Sequence, residues 1–331
     1  MKRILILGGT GFVGRILTEE LLKTNDELTL FNRGKSNPAI FPEVRRLTGD
    51  RQNDDILKIV NHTWDAVIDF TGFYPDNLEM IISLLEGKVG RYIFISTGNV
   101  YSFETMEKLN RPIDESVETD TCTPEQGKEK GLMKFYGNKK AECERILLSK
   151  HWLDTIILRP SLIYGRFDPT DRFYYWLYRA KKRDKILLPE NGKTLFTNTY
   201  SEDLAKLIVE AIDIDKHRKV YNAPTHQPVS IKELLQTTCS ILKTSPEILN
   251  APAEFLDKYD IMQWQDIAMW IHGFDMLFDN KRLKEDFKTQ FHSFTESVAK
   301  TIDYYSSEGW KLPQYGISPG KEDELIEKLS D

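Results

Sequence analysis

The sequence predicts an α/β fold organised around a doubly wound parallel sheet, and two observations carry this prediction. Short apolar segments alternate with helical patterns through the first half of the 331-residue chain, which is typical of βαβ units. A glycine-rich turn at 8–14 joins the first apolar segment to the first amphipathic helix. Such an alternation implies parallel strands with right-handed crossovers.

The glycine-rich turn is the most informative stretch of the chain. An apolar strand at 4–7 runs directly into Gly8, Gly11 and Gly14, and a helix pattern with one apolar face begins at Phe12. Gly8 can adopt the backbone angles of the turn, Gly11 leaves room for a pyrophosphate, and Gly14 lets the helix lie close to the strand. Backbone N–H groups at the helix N-terminus then receive the phosphates. The turn therefore predicts a Rossmann-type dinucleotide site.

The other elements of the predicted sheet follow in order along the chain. Further strands are predicted at 28–31, 44–47, 66–70, 92–96 and 155–158. Helices are predicted after the turn, through 56–60, and at 77–85, 136–149 and 173–179. Ligands of such sheets bind beyond the carboxyl ends of the strands. The candidate site residues at those ends are Gly8, Asn32, Arg33, Asp50, Phe70, Thr71, Gly72, Ser96 and Thr97.

Two domains are predicted from the distribution of these patterns. Residues 1–165, with a return segment near 197–225, form the Rossmann domain. Residues 166–331 form a smaller, mostly C-terminal α/β part that binds the substrate. The polar stretch 102–134 contains two prolines and two glycines, so it is predicted to be a long surface loop and a candidate lid.

Composition argues against several classes of function. The net charge of −6 leaves no basic footprint for nucleic acid or for an anionic membrane. The three cysteines are widely spaced and the six histidines lack ligand spacing, so we expect no disulfide framework and no metal site. No apolar run approaches the length of a membrane span, and no signal peptide pattern precedes the first strand. We therefore expect a cytoplasmic protein.

Three residues form a candidate catalytic group. Thr97 follows the strand at 92–96, while Tyr136 and Lys140 lie one turn apart on one face of a predicted helix. A lysine ammonium beside a phenol favours the phenolate, so we expect Lys140 to lower the pKa of Tyr136 towards neutrality. Tyr136 would then serve as general acid or base for a substrate oxygen that Thr97 holds in line.

These motifs together resemble the extended short-chain dehydrogenase/reductase family, the NAD(P)-dependent sugar epimerases and dehydratases. The glycine turn, Thr97 and the Tyr136–Lys140 pair carry the resemblance, together with the segments 158–165 and 200–205. The resemblance implies that Thr97, Tyr136 and Lys140 are catalytic. It also implies hydride transfer between NAD(P) and a hydroxyl or keto carbon of a sugar, a nucleotide sugar or a similar polar small molecule. The residues that it implies for the dinucleotide are Gly8, Gly11, Phe12, Val13, Gly14, Asn32, Arg33, Asp50, Thr71 and Lys140.

Three departures from the family pattern narrow the predicted activity. Gly98 and Asn99 replace the acid pair that follows the catalytic threonine in dehydratases, and neither titrates, so a 4,6-dehydratase is disfavoured. Leu162 replaces the asparagine that contacts a substrate diphosphate, which weakens the case for a nucleotide sugar. Asn32 and Arg33 replace the acid that NAD-specific members use to bind the ribose hydroxyls, so the sequence favours NADP(H) over NAD.

Asn99 and Arg172 are the predicted substrate-binding residues. Arg172 follows the 158–165 segment, whereas Asp168 is interpreted as part of a capped turn before the next helix. Asp50 has two interpretations, a contact to adenine and the N-cap of the helix that follows it.

Two functions of different classes stay open from the sequence. The first is an NAD(P)-dependent reductase or epimerase, of which Arg33 favours the reductase because reductases exchange NADPH. The second is a non-enzymatic RNA-binding or redox-sensing relative, since the stretch TLFNRGK…LTGDR resembles the stem-loop-binding members of the family. The retained Thr97, Tyr136 and Lys140 and the acidic net charge favour the enzyme, with no nucleic acid or membrane partner. A homodimer through the Tyr136 helix is common in the family.

Overall fold

A computed structural model describes residues 1–109, 111–131 and 133–330 of the chain. Its strands are β1 (Arg3–Leu7), β2 (Glu27–Asn32), β3 (Arg45–Thr48), β4 (Trp64–Asp69), β5 (Val89–Ile95), β6 (Asp154–Arg159), β7 (Leu162–Tyr164), β8 (Lys185–Pro189), β9 (Leu195–Phe196), β10 (Asn198–Tyr200), β11 (Lys219–Asn222), β12 (Val229–Ser230) and β13 (Glu247–Ala251). Its α-helices are α1 (Phe12–Leu21), α2 (Pro75–Leu84), α3 (Phe103–Leu109), α4 (Pro124–Lys128), α5 (Tyr136–Ser149), α6 (Arg172–Lys182), α7 (Ser201–Ala211), α8 (Ile231–Leu242), α9 (Ala253–Lys258), α10 (Lys281–Asp286), α11 (Phe294–Ser307) and α12 (Pro319–Ser330).

Seven parallel strands form the central sheet, in the order β11-β6-β5-β4-β1-β2-β3. The strand order reverses between β1 and β4, because the chain runs outward from β1 to β3 and then returns to the other side of β1. Leu7 pairs with both Phe31 and Asp69, so the carboxyl ends of β1, β2 and β4 meet at this reversal. A crevice at such a switch point is where sheets of this kind bind their ligands. The predicted fold class is confirmed.

Helices cover both faces of the sheet, as the alternation of side chains along β1 requires. Ile4 and Ile6 pack in a core with α1, α7 and α10. Leu5 and Leu7 point to the opposite face and pack in a second core with α2 and α5. All four side chains are at most 1% exposed. The catalytic candidates on α5 are therefore carried by a helix that lies directly on the sheet.

The stretch 102–134 differs from its prediction as an irregular surface loop. It contains α3 and α4, and Ile113 within it is buried and forms a β-bridge with Phe278. A capping box between Thr123 and Gln126 starts α4, which is a sequence signal that the loop interpretation passed over. Residues 110 and 132 of this stretch lie outside the described residues.

The C-terminal half adds a third core that is rich in aromatic side chains. Three two-stranded pairings, β7 with β10, β9 with β12 and β8 with β13, are surrounded by α6, α8, α9, α11 and α12. Two elements of this half cross back to the sheet layer, since β11 pairs with β6 and α7 packs on α1. The later helix α10 packs on the same layer through Leu283. The division at residue 165 stays an interpretation of this arrangement.

Candidate functional site

A cavity of about 400 Å³ opens at the carboxyl ends of β1, β2, β3 and β4. It coincides with the strand reversal, the place predicted for a dinucleotide. Six of the ten predicted cofactor residues line it: Gly8, Gly11, Asn32, Arg33, Asp50 and Thr71. Among the other four, Val13 packs its side chain into the core, so a contact from Val13 to a cofactor would come from its backbone.

The glycine turn has the geometry that a phosphate-binding loop needs. Gly8 adopts a φ of +99°, in the left-handed region that side chains avoid. A Cβ atom on Gly14 would lie 2.2 Å from the carbonyl oxygen of Gly8, so α1 approaches β1 too closely for any side chain there. A Cβ atom on Gly11 would meet nothing within 4 Å, and that open space faces the cavity. The loop therefore fits a pyrophosphate at Gly11.

Polar hydrogen-bond donors line the β2 side of the cavity. The Nδ2 atom of Asn32 is buried and has no hydrogen-bond partner in the described part of the chain, while its Oδ1 accepts from the backbone N–H of Gly34. Arg33 and Lys35 are exposed at the same rim. A buried unpaired donor is costly, so Asn32 is suited to receive an acceptor from a bound ligand.

Arg51 is a cavity residue that the sequence interpretation missed. It follows Gly49 and Asp50 at the end of β3, and it is 8% exposed. Its guanidinium pairs with the buried carboxylate of Asp69 at 2.7 Å and donates to the Thr71 hydroxyl at 2.7 Å. The attraction to Asp69 outweighs burial and raises the pKa of Arg51, so the cation stays fixed at the cavity wall. Its position directly after a candidate strand end was the signal available in the sequence.

The structure contradicts one of the two interpretations of Asp50, its role as a helix N-cap. The 3₁₀ helix Asp54–Ile59 has Asn53 as its N-cap, since the Asn53 side chain accepts from the N–H of Asp55. Asp50 instead accepts from the N–H of Gln52 and lines the cavity. The N-cap interpretation of Asp50 is therefore wrong.

The three catalytic candidates converge at the carboxyl end of β5. Thr97 follows β5 and its Oγ1 accepts from the N–H of Asn99 at 3.2 Å, while Tyr136 is the first residue of α5. The Thr97 side chain acts on the Tyr136 phenol, where it partly opposes the rise in the pKa of Tyr136 that burial causes. Gly137 makes this approach possible, because a Cβ atom there would lie 1.9 Å from the carbonyl oxygen of Asn99.

Lys140 lies one turn further along α5 and is buried. Its ammonium donates to the carbonyl oxygens of Ile95 at 2.7 Å and Gly72 at 3.1 Å, and it lies 3.8 Å from the centroid of the Phe94 ring. Burial lowers the pKa of Lys140 to about 8. Lys140 therefore joins the ends of β4 and β5, beneath the cavity rather than on its lining.

The expected effect of Lys140 on Tyr136 is not found in this structure. Burial raises the pKa of Tyr136, and the opposing influences come from the Thr97 side chain and the positive charge of Arg172. The Lys140 ammonium is occupied by two backbone carbonyls and does not act on the phenol. Proximity on one helix face predicted the pairing, but the carbonyls at the strand ends compete for the same ammonium.

A buried ion pair holds α5 against the ends of β5 and β6. Glu144 on α5 pairs with Arg159 at 2.5 Å, and both side chains are less than 10% exposed. The Ser96 hydroxyl donates to Glu144, and Arg159 also donates to the Tyr101 hydroxyl at 2.5 Å. Ser96 immediately precedes Thr97, so this network fixes the distance between the helix of Tyr136 and the strand end of Thr97.

The two predicted substrate residues lie on the open side of this group. Asn99 is exposed next to Thr97, and Arg172 is half-buried at the start of α6. Asp168 accepts from the N–H and the hydroxyl of Thr170, as expected of a turn, and burial raises its pKa to about 6.

Within the described residues, no group of three or more acidic, histidine or cysteine side chains is arranged to hold a metal ion. No helix of the same residues is both long enough and apolar enough to cross a bilayer.

Comparisons with known proteins agree with this geometry. The model of the NAD dependent epimerase/dehydratase family matches residues 4–223. The chloroplast stem-loop binding protein of 41 kDa b from Arabidopsis thaliana is 29% identical over 241 residues, which are 67% of this chain and 58% of that protein. The UDP-N-acetyl-alpha-D-glucosaminuronate decarboxylase of Bacillus cytotoxicus is 26% identical, with 92% of this chain and 98% of that enzyme aligned.

Solved structures share the fold over nearly the whole chain. The UDP-glucuronic acid 4-epimerase from Bacillus cereus, solved in complex with NAD, superposes with a TM-score of 0.70 at 17% identity, covering 93% of this chain and 100% of that one. Identity at this level shows a shared fold and leaves the reaction of each protein to its own site.

Proposed function

The chain belongs to the NAD dependent epimerase/dehydratase family, and we propose that it is an NAD(P)-dependent reductase or epimerase. Its substrate would be a hydroxyl or keto carbon of a sugar, a nucleotide sugar or a similar polar compound. The observation that carries the proposal is the convergence of Thr97, Tyr136 and Lys140 at the end of β5, beside a cavity with a phosphate-binding glycine turn. Thr97, Tyr136 and Lys140 are the proposed catalytic residues.

The roles of the three residues follow from their surroundings. NAD(P), when bound, supplies the hydride acceptor or donor. The Tyr136 hydroxyl passes a proton to or from the substrate oxygen, and the Thr97 hydroxyl bonds to the same oxygen. Because burial keeps the pKa of Tyr136 high, the phenol is protonated at rest, which suits proton donation to a carbonyl oxygen during reduction. Lys140 braces the strand ends at which this proton transfer takes place.

We further propose that NADP(H) is preferred over NAD. Arg33, Lys35 and the amide nitrogen of Asn32, which has no partner within the described residues, form a donor-rich rim where NAD-specific members carry an acid. A 2′-phosphate is well matched to such donors. The relatives whose structures were solved in complex with NAD argue instead for NAD as the cofactor. Retention of one NAD by the purified protein would favour an internally recycling epimerase, whereas exchange of NADPH would favour a reductase.

The proposed substrate class follows from the relatives and from the residues after Thr97. Two of the relatives are named for acids of nucleotide sugars, the decarboxylase and the 4-epimerase. A 4,6-dehydratase stays disfavoured, because Gly98 and Asn99 supply no acid–base pair after Thr97.

RNA binding is the second candidate function, because the Arabidopsis relative is named for stem-loop binding, but the net charge of −6 on this chain opposes it. The cytoplasmic location and the homodimer stay predictions.

The test combines cofactor binding with turnover. The purified protein is analysed for retained cofactor and titrated with NAD+, NADP+, NADH and NADPH, then assayed with a panel of sugar ketones and alcohols. Tyr136→Phe should keep cofactor affinity and lose turnover by about 100-fold or more, because the proton donor is gone. Tyr178→Phe, on α6, is the matched control and should leave both unchanged.

Two outcomes would overturn the proposal. The first is an absence of binding for all four cofactor forms. The second is near-normal turnover by Tyr136→Phe with its cofactor bound. For the cofactor preference, Arg33→Ala should weaken NADPH binding and leave NADH binding unchanged, and equal weakening of both would contradict the assignment of a 2′-phosphate to Arg33.

A further inference from the structure

Two consecutive aromatic residues, Phe73 and Tyr74, form a wall that the cavity at the strand ends shares with α5. Both side chains line the cavity and are half-buried, and Tyr74 is the N-cap of α2. The centroid of the Phe73 ring lies 6.3 Å from that of the Tyr136 ring and 5.5 Å from the Lys140 ammonium. A ligand that packs against this aromatic wall can therefore act on Tyr136 through a single ring.

The Tyr74 hydroxyl reaches a second feature, the backbone of residues 129–131. It donates a hydrogen bond to the carbonyl oxygen of Lys130 at 2.8 Å. Lys139 on α5 holds the same stretch, since its ammonium donates to the preceding and the following carbonyl oxygens at 2.9 and 2.8 Å. The ammonium also lies 5.0 Å from the centroid of the Tyr74 ring. We call these three hydrogen bonds to successive carbonyls the clasp.

The clasp connects the cavity wall to the first turn of α5, which contains both Tyr136 and Lys139. Lys139 is 1% exposed, and a buried ammonium is costly without its acceptors, so this turn and residues 129–131 hold each other in place. Phe135, directly before Tyr136, has a φ of +55°, a left-handed conformation that non-glycine residues rarely adopt. Such a conformation persists only where the surroundings fix it. The placement of Tyr136 therefore depends on contacts around this turn.

We propose that Tyr74 and Lys139 are positioning residues, which couple binding of the dinucleotide in the cavity to the placement of Tyr136. The inference rests on the proposed function and adds to it a link between the cofactor site and the catalytic phenol. When a dinucleotide is bound, the rings of the aromatic wall lose exposed apolar surface and rotational freedom. That loss favours the rotamer in which the Tyr74 hydroxyl reaches Lys130, and the clasp then holds the first turn of α5.

Coupling of this kind is reciprocal, which separates it from a purely structural role. If the bound cofactor strengthens the clasp by a given factor, loss of the clasp weakens cofactor binding by the same factor. A Tyr74 hydroxyl that only stabilised the fold would instead change the clasp equally with and without cofactor. Measurement of both the clasp and the cofactor affinity therefore tests the proposal.

Trypsin cleavage after Lys130 measures the clasp, because this exposed residue is cut only when its backbone leaves the folded position. The wild-type protein and Tyr74→Phe are digested with and without saturating NADP+ or NAD+, whichever binds more tightly, and mass spectrometry follows the cut. We expect the cofactor to slow cleavage of the wild-type protein about 5-fold or more. Tyr74→Phe should lose most of this protection and bind the cofactor more weakly by about the factor of protection lost.

Variants of Lys139 test the other part of the clasp. Lys139→Met removes the donors to the two carbonyls and should speed cleavage after Lys130, whereas Lys139→Arg keeps a charged donor and should retain part of the protection. Hydrogen exchange of the first turn of α5 reports the placement of Tyr136, and bound cofactor should slow it in the wild-type protein but not in Lys139→Met. Tyr178→Phe, on α6, is the matched control and should keep wild-type protection.

The possible outcomes separate this inference from the proposed function. Unchanged cleavage after Lys130 when cofactor is bound would overturn the inference alone, and so would equal protection of the wild-type protein and Tyr74→Phe. Thermal unfolding shows whether each variant is folded during digestion, and if one is not, the wild-type response and the other variants decide. If no cofactor form binds, both the proposed function and the inference fail. Near-normal turnover by Tyr136→Phe removes the proposed function, while the cleavage rates still decide the coupling.

Discussion

Gly11 and Gly14 stand three residues apart in one turn, yet their surroundings differ completely. The position of Gly14 is filled by the backbone of Gly8, whereas Gly11 faces open space in the cavity at an ordinary extended φ of −117°. One glycine is therefore required by the protein's own packing, and the other is required by the ligand that we propose. Substitution with alanine separates these two requirements.

Gly14→Ala should lower the free energy of unfolding by about 1 to 3 kcal/mol, because its Cβ meets immovable backbone. Gly11→Ala should leave stability within about 0.5 kcal/mol and weaken dinucleotide binding instead. Urea denaturation and cofactor titration measure the two effects. A stable Gly14→Ala protein would contradict the close approach of α1 to β1, and unchanged cofactor affinity in Gly11→Ala would contradict the phosphate position.

His226 is a buried titratable residue whose charge should influence stability with pH. Its Nε2 lies 2.8 Å from the Tyr164 hydroxyl, and burial lowers its pKa to about 4, with the charge of His292 as the second cause. Since the folded state resists protonation, the unfolded state binds more protons between pH 6.5 and pH 4. The stability that neutral His226 contributes is therefore present above pH 6.5 and lost as the pH falls towards 4.

His226→Gln should be less stable than the wild-type protein at pH 7, because the hydrogen bond of the His226 ring to Tyr164 is disturbed. The difference between the two should shrink by roughly 3 kcal/mol between pH 6.5 and pH 4. Chemical denaturation at a series of pH values measures it. Burial raises the pKa of Asp168 to about 6, so its protonation changes the stability in the opposite direction over an overlapping pH range. Because both proteins contain Asp168, its contribution cancels in the difference between them. A pH-independent difference would contradict the burial of a neutral imidazole.

At the scale of an element, α5 carries the catalytic phenol and is fixed to the sheet by a buried charge pair. Replacing Glu144 by Gln leaves the Arg159 guanidinium buried without a counter-charge, so we expect a loss of about 3 to 5 kcal/mol in the free energy of unfolding. The double variant Glu144→Leu/Arg159→Met removes both charges and should lose less. Glu142→Gln on the same helix breaks only a surface pair with Arg145 and should cost under about 1 kcal/mol.

The same denaturation curves decide whether the pair holds α5 in place. A double variant as unstable as Glu144→Gln would mean that the packing around the pair, rather than the uncompensated charge, determines stability. A loss for Glu142→Gln as large as that for Glu144→Gln would show that any charge change on α5 is harmful.

Across the whole molecule, the chain leaves the sheet layer after β6 and returns to it twice. The first return brings α7 and β11, and the second brings α10, whose Leu283 is fully buried in the core of α1 and the sheet. Separate unfolding of the two halves would have to expose that core. We therefore expect a single cooperative transition for the whole chain.

Leu283→Ala should lower the free energy of unfolding by about 2 to 5 kcal/mol by leaving a cavity in the sheet-layer core. Far-UV circular dichroism reports both halves, whereas tryptophan fluorescence reports mainly the aromatic C-terminal core, and the two should shift together. Leu312→Ala, at a position 58% exposed, is the matched control and should change little. A shift seen by only one of the two probes would show that the halves unfold independently.

Local sequence patterns determine much of this protein without reference to its tertiary structure. The strand order along the chain, the glycine turn and the helix of Tyr136 and Lys140 follow from periodicity and spacing, because each depends on residues that are close in sequence. The family resemblance rested on the same local motifs, and the family model confirms it.

Only the tertiary structure decided how those residues use their charges. Lys140 donates to strand-end carbonyls rather than to Tyr136, and Arg51 enters the cavity through its pair with Asp69. Each of these outcomes depends on competition among partners that are distant in sequence. Burial then sets the cost of leaving each charge unsatisfied, and neither competition nor burial can be read from spacing along the chain.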